Sequence, residues 1–218
     1  MLKRLFPALA LILTTALFTQ AFLTPTVVAA PDDDDEPATG GLDMQAMMEA
    51  MQLAQPGPEH EQLMATAGTW EQRMTIHMPP MEGMPQMPAM TSTADATLTP
   101  VLGGRFLMSE SGGVMMGMPV EQLSFIGFDR RTEEYITVGL DTMGTYFVTG
   151  RGPRGEDGVV RMHGVDEDPM GRQVYTFEVE HISEDEQRIS VLFTEMGGMT
   201  FEEPFEMVRI ESTRKSDD

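Results

Sequence analysis

The sequence predicts a mainly β protein, an antiparallel up-and-down β-barrel of about ten strands preceded by short N-terminal helices. Short runs of alternating apolar and polar residues follow Gly68, and Gly, Pro and Asp turns separate them. No crossover helix intervenes, so consecutive strands should pair antiparallel and close on themselves. The predicted strands are 69–78, 92–98, 104–110, 120–128, 134–141, 145–150, 158–165, 172–181, 187–195 and 204–211.

Composition excludes several functional classes. The 218 residues include 35 Asp+Glu against 14 Lys+Arg, a net charge of −21 that disfavours nucleic acids and acidic membrane surfaces as partners. Because the chain has no cysteine, it has no disulfide, no thiol nucleophile and no cysteine zinc site. Methionine is abundant, with 22 residues, and it is the only soft side chain present.

The N-terminal segment has the order of a secretory signal. Residues 1–30 begin with Lys3 and Arg4, continue through an apolar run and end in small residues. We therefore expect export to the periplasm or the extracellular space, with this segment either cleaved or kept as an N-terminal anchor. An acidic spacer and a Met-rich helix follow at 31–57, the barrel at 58–213 and a disordered tail at 214–218.

Two helices are predicted before the first strand. Met44, Met47, Met48 and Met51 recur on one helical face, and Asp43 can cap its start. Such a stripe is usually a packing surface, and the alternative is a face for self-association or a partner. A second helix covers residues 59–65, with Pro58 as its natural first residue.

The start of the first strand carries a family resemblance. A short helix leading into Gly68-Thr69-Trp70 resembles the calycin superfamily, which includes the lipocalins and the nitrobindin-like barrels. In that group a late basic residue often covers the Trp ring. The resemblance implies structural roles for Gly68 and Trp70, and it implies that Arg209 stacks on the indole.

A second resemblance covers most of residues 58–210. The residues that carry it are Pro58-Glu59-His60, Gly68-Thr69-Trp70, Leu102-Gly103-Gly104-Arg105-Phe106-Leu107, Gly127-Phe128-Asp129, Asp141 and Asp168-Pro169-Met170-Gly171. Together they look like the bacterial secreted family called domain of unknown function 1579. This resemblance implies a fold and no activity.

The predicted strand order places methionines at one end of the barrel. In an up-and-down barrel every second connection lies at the same end, here 79–91, 111–119, 142–144, 166–171 and 196–203. Apolar loops around a barrel mouth suit an apolar ligand or a protein partner, and the alternative is that these loops fold over the core. The candidate ligand-binding residues are Met84, Met87, Met115, Met116, Met118, Met143, Met196 and Met199.

The first of these loops also suggests a metal site. Its methionines recur every third residue, which is the period of polyproline II, and thioethers are soft ligands for Cu(I). The alternative function is therefore periplasmic copper binding, with no cofactor as the leading expectation. The candidate ligands are His77, Met78, Met81, Met84, Met87 and Met90.

Signals for an enzyme are weak. The four histidines have no metal-binding spacing, and neither a nucleophile elbow nor a phosphate loop occurs. A hydrolase that uses carboxylates inside the barrel is the third hypothesis, although nothing nominates a pair. The leading hypothesis is a non-enzymatic, exported barrel that binds an apolar small molecule or a partner at a Met-rich mouth.

Overall fold

The structure is a computed structural model that describes residues 43–80, 83, 85–115, 117–169 and 171–216. The predicted signal segment 1–30 and most of the acidic spacer lie outside the described residues. The same holds for Met81, Met84, Met116 and Met170 and for the last two residues of the predicted tail.

Both predicted helices are present. Helix α1 spans Met44–Leu53, and its Asp43 cap accepts a hydrogen bond from the Gln45 amide at 2.9 Å. Helix α2 spans Pro58–Met64. Neither of these described helices is long and apolar enough to cross a membrane. Helix α1 lies in a compact unit that ends at Gln55, and α2 lies in the unit that carries the barrel.

The methionine stripe of α1 is exposed. Its four members, Met44, Met47, Met48 and Met51, keep between 45% and 64% of their surface accessible. The helix buries no residue. The stripe is therefore not part of a packed core, and its role as a self-association or partner face stays a prediction.

Ten strands follow among the described residues, one for each predicted strand. Their bounds are β1 Gly68–Ile76, β2 Met90–Val101, β3 Phe106–Met115, β4 Met118–Asp129, β5 Glu134–Asp141, β6 Phe147–Gly152, β7 Val160–Asp168, β8 Gly171–His181, β9 Glu186–Met196 and β10 Met199–Arg214. Several run further than predicted, because two-residue turns join β3 to β4 and β9 to β10. The last strand also continues to Arg214, inside the segment predicted as a disordered tail.

The strands form a closed antiparallel barrel. Each strand pairs with its neighbours in sequence, and β1 pairs with β10 to close the sheet. The predicted fold class is therefore confirmed. Closure satisfies the backbone groups of strands that would otherwise form sheet edges.

The connections lie at two chemically different ends. The end with loops 77–89, 116–117, 142–146, 169–170 and 197–198 is called the methionine end, and methionines occur in or beside each of these loops. The other end, called the polar end, has loops 102–105, 130–133, 153–159 and 182–185, which contain no methionine. The reversal of chain direction at each turn produces this separation, as the sequence predicted.

Helix α2 closes the polar end. Leu63 is 4% exposed and packs with Tyr135, Val160 and Met162 inside the barrel. At the surface, the guanidinium of Arg154 donates a 2.8 Å hydrogen bond to the side chain of Gln62. The helix precedes β1 and therefore sits where that strand begins, so the opposite, methionine end is the candidate opening.

The cation over Trp70 is Arg214, and the prediction of Arg209 was wrong. The Arg214 guanidinium carbon lies 4.5 Å from the centre of the indole ring, which is 1% exposed. Register explains the difference, because Trp70 lies opposite Arg214 while Thr75 lies opposite Arg209. Arg209 instead forms an ion pair with Glu206 at 2.9 Å.

Candidate functional site

One side of the barrel interior is lined by small residues. Paired residues on neighbouring strands point to the same face of a sheet, so buried Ala96 and Leu98 identify the inward positions of β1 to β5. Many of the inward residues of β2 to β5 are small or bear a hydroxyl group, and we call this subset the hydroxyl wall. It consists of Ala94, Ala96, Ser109, Ser111, Ser124, Thr137 and Gly139.

The hydroxyl wall is incompletely covered from within. Ser109, Ser111 and Ser124 point inward from the middle of their strands, yet they are half-buried rather than buried. Their outward neighbour Glu110 is exposed, as expected for the outer face. An inward serine stays accessible only where no larger side chain packs on it. These inward hydroxyl groups therefore keep some accessible surface, and we call the barrel interior beside this wall the lumen.

The opposite side of the interior is aromatic and tightly packed. Tyr175 and Phe193 are 5% and 9% exposed, and their ring centres lie 5.7 Å apart. Phe177 contacts the same tyrosine at 5.3 Å, and Phe205 packs on this cluster from β10. These four residues form the aromatic wall. The lumen therefore has one wall of hydroxyl and methyl groups and one of aromatic rings.

A carboxyl group lies at the methionine end of the hydroxyl wall. Asp141 pairs in register with Gln122, which pairs with Ser111, so the three side chains form one inward row. Burial raises the pKa of the Asp141 carboxyl, while hydrogen bonds from the Met143 and Gly144 amides lower it. The Met143 amide lies 2.7 Å from Oδ1. This row lies beside the hydroxyl wall at the methionine end and adds one ionisable group to it.

The walls meet at a loosely paired seam between β6 and β7. The register there contains the single pair Arg151 and His163. Tyr175 covers the gap from inside, because its ring lies over Gly164 and its hydroxyl donates to the Thr149 carbonyl at 3.3 Å. A Cβ at residue 164 would lie 2.2 Å from the ring. This seam was not predicted from the sequence, although glycines at 150, 152 and 164 were its signal.

The candidate mouth residues lie at the methionine end where they are described. Met118 and Met199 are 43% and 39% exposed, and Met87 is 43% exposed in the first loop. Met115 and Met143 are half-buried. Met196 differs, since it is 2% exposed and packs with the aromatic wall as a core residue. Met84 and Met116 lie outside the described residues.

Two hairpins at this end have the same arrangement, which sequence reasoning missed. Met115 pairs with Met118 across the β3–β4 turn, and Met196 pairs with Met199 across the β9–β10 turn. Gly197 and Gly198 have φ values of 57° and 84°, a conformation that tight hairpin turns require and glycine supplies. The spacing Met-x-Gly-Met was the available signal.

The proposed copper ligands are only partly described. His77 places Nδ1 3.0 Å from the Glu206 carbonyl oxygen, Met78 is buried, and Met90 is half-buried at the start of β2. Met81 and Met84 lie outside the described residues. Within the described part of the chain, no three His, Asp or Glu side chains are grouped so as to hold a metal ion. Copper binding through methionine stays a prediction.

The family of the chain follows from a match over most of its length. No curated protein matches the sequence. A family model described as a protein of unknown function, DUF1579, matches residues 55–214, which include helix α2 and all ten strands. Because the match covers well over half of the chain, this protein belongs to the DUF1579 family.

Proposed function

We propose that this protein is a non-enzymatic binding protein that takes up an amphipathic small molecule into its lumen. The observation that carries the proposal is the half-buried state of the inward serines Ser109, Ser111 and Ser124. A barrel of eight strands is already wide enough to hold one small ligand, and diameter grows with strand number. Ten strands lined on one side by Ser, Ala and Gly leave more room than those side chains fill.

The two walls indicate the chemistry of the ligand. An apolar or aromatic group would lie against Tyr175 and Phe193, whose rings offer a large dispersive surface. Serine hydroxyl groups and Gln122 on the other side offer hydrogen bonds to polar atoms. Apolar walls with a few placed polar groups are typical of small-molecule sites. An amphipathic ligand satisfies both walls.

The methionine end is the proposed entrance. Helix α2 and the Trp70 cluster fill the polar end, so the ligand enters from the opposite side. Methionine side chains are flexible and polarisable, and they adapt to ligands of different shape. Met118 and Met199 are exposed there on separate hairpins. We also propose that the chain is exported, on the basis of the signal-like order of residues 1–30.

A fluorescent apolar probe tests the proposal. We expect the wild-type protein to bind N-phenyl-1-naphthylamine, with a rise in the emission of the probe. Ser109→Phe fills the lumen and should weaken this binding by roughly tenfold or more, because the added ring occupies the volume of the probe. Glu110→Phe adds the same ring to the outer face of β3 and should leave the affinity unchanged.

The emission of Trp70, the single tryptophan, shows whether each variant is folded. Absence of probe binding to the wild-type protein contradicts the proposal. Equal affinities in the folded Ser109→Phe and Glu110→Phe variants place the probe outside the lumen and also contradict it.

A further inference from the structure

The charges that face the lumen suggest what kind of polar group the ligand carries. Asp141 points inward in the row with Ser111 and Gln122, and it is part-buried at the methionine end. A second acid, Asp166, pairs in register with buried Gln173 and also faces inward near this end. Both described groups carry negative charge when ionised. An anionic ligand group would therefore be repelled from this part of the lumen.

No described cation neutralises these acids from inside this half of the barrel. The inward guanidinium of Arg214 lies over Trp70, where it donates hydrogen bonds of 2.6 Å and 3.1 Å to the Ala67 and Ala65 carbonyls. Those contacts hold it at the polar end. The Asp141 carboxylate accepts hydrogen bonds from the backbone amides of Met143 and Gly144, which leave its charge in place.

We propose that the lumen binds an amphiphile with a cationic ammonium group, which Asp141 engages while the apolar part lies on the aromatic wall. The inference rests on the proposed function and adds the charge of the ligand to it. An ammonium group donates up to three hydrogen bonds. Asp141, Gln122 and Ser111 supply acceptor oxygens in one row. Charge-assisted hydrogen bonds of this kind are the stronger ones in proteins.

Displacement of the neutral probe by three decyl compounds tests the charge preference. Decylamine, 1-decanol and decanoate share one chain length and differ in the charge of the polar group. We expect decylamine to displace N-phenyl-1-naphthylamine at a concentration roughly tenfold lower than 1-decanol does, and decanoate to be the weakest. Each compound is used below the concentration at which it forms micelles.

Two variants distinguish Asp141 from the general charge of the protein. Asp141→Asn keeps the shape and an acceptor oxygen but removes the charge, so the amine preference should fall to near unity. Glu121→Gln removes one charge from the exposed outer face of β4 and should keep the preference. If the amine preference survives in Asp141→Asn, or is lost equally in Glu121→Gln, the inference is wrong.

The outcomes also separate this inference from the proposed function. If the probe binds the wild-type protein but decylamine and 1-decanol displace it equally, the lumen binds ligands without selecting an ammonium group. If the probe does not bind at all, the proposed function itself fails. Probe binding by Asp141→Asn confirms that its lumen is intact.

Discussion

Arg214 joins three parts of the fold at the polar end. Its guanidinium lies over Trp70, donates to carbonyls just after helix α2 and lies 3.3 Å from Asp185 in the β8–β9 turn. The indole in turn donates a 3.1 Å hydrogen bond to the Thr66 carbonyl. A single side chain therefore links the helix, the first strand and the last strand. The calycin resemblance predicted the contact, but the partner depended on register, which three residues of motif do not specify.

We expect Arg214→Ala to lower the free energy of unfolding by about 2–4 kcal/mol, because it removes the cation–π contact and leaves carbonyl groups without their donor. Trp70 emission should shift to the red as water reaches the ring. Arg209→Ala is the matched control, since Arg209 is a partly exposed ion-pair residue on the same strand. It should cost less than about 1 kcal/mol. Urea titrations of both variants measure this, and equal losses would contradict the assignment.

Asp141 affects stability as well as binding. Burial raises its pKa, so the folded state holds the proton more tightly than the unfolded chain does. The stabilisation from this group is thus fully present below the usual aspartate pKa, about 4, and is lost as pH rises through the raised folded pKa. The ionised carboxylate is a cost to the ligand-free fold at neutral pH, as often occurs in binding sites.

Asp141→Asn should therefore be more stable than the wild-type protein at pH 7, and the difference should disappear as the pH falls below about 4. Thermal unfolding at several pH values measures it. Removal of any one carboxylate reduces charge repulsion in a chain of net charge −21. The stability gained by Glu121→Gln, at an exposed residue, therefore measures this general effect. If Asp141→Asn gains no more stability at pH 7 than Glu121→Gln does, then burial of the Asp141 carboxylate does not destabilise the fold, and the prediction is wrong.

Among the described strands, neighbours β6 and β7 share the fewest registered pairs, with Arg151 and His163 as the single pair. Tyr175 from β8 reaches over Gly164 of β7 to the Thr149 carbonyl of β6, so one ring bridges three strands. Glycine is needed at residue 164 because the ring takes the place of a side chain. Aromatic cover of a strand glycine is a known way to stabilise a sheet.

Gly164→Ala should destabilise the barrel by at least about 2 kcal/mol, because the new Cβ would lie 2.2 Å from the Tyr175 ring and 2.4 Å from the Thr149 carbonyl oxygen. Gly112→Ala on β3 is the control, since no heavy atom lies within 4 Å of its added Cβ. That change should be neutral or slightly stabilising. Chemical denaturation distinguishes the two, and similar stabilities would show that the ring moves aside freely.

The sequence predicted elements well where periodicity is strong. Strand alternation located all ten strands, and Asp43 and Pro58 marked the starts of the two helices. Strand ends were less accurate, since Met115 and Met118 were assigned to a loop and in fact form the last pair before a tight turn. A glycine turn lets pairing continue further than the polarity pattern indicates.

For the molecule as a whole, the alternation of loops between the two barrel ends predicted more of the architecture than any motif did. Successive antiparallel strands place every second loop at the same end, which predicted the methionine end from the sequence. The lumen was not predicted, because whether inward serines are covered depends on side chains from distant strands, such as Tyr175 and Phe193. Copper binding and export stay predictions, since many of their residues lie outside the described part of the chain.

Closure of the barrel by β1 and β10 has a mechanical consequence. The chain enters β1 and leaves β10 at the same end, where the Lys215 amide donates to the Thr69 carbonyl at 2.8 Å and Trp70 lies opposite Arg214. A force that pulls the start of β1 away from the end of β10 therefore acts across the strand pair. It breaks the hydrogen bonds between the two strands one after another, rather than all together as a force along the strands would. The pair that removes the edges of the sheet is also the line along which a pulling force would open it.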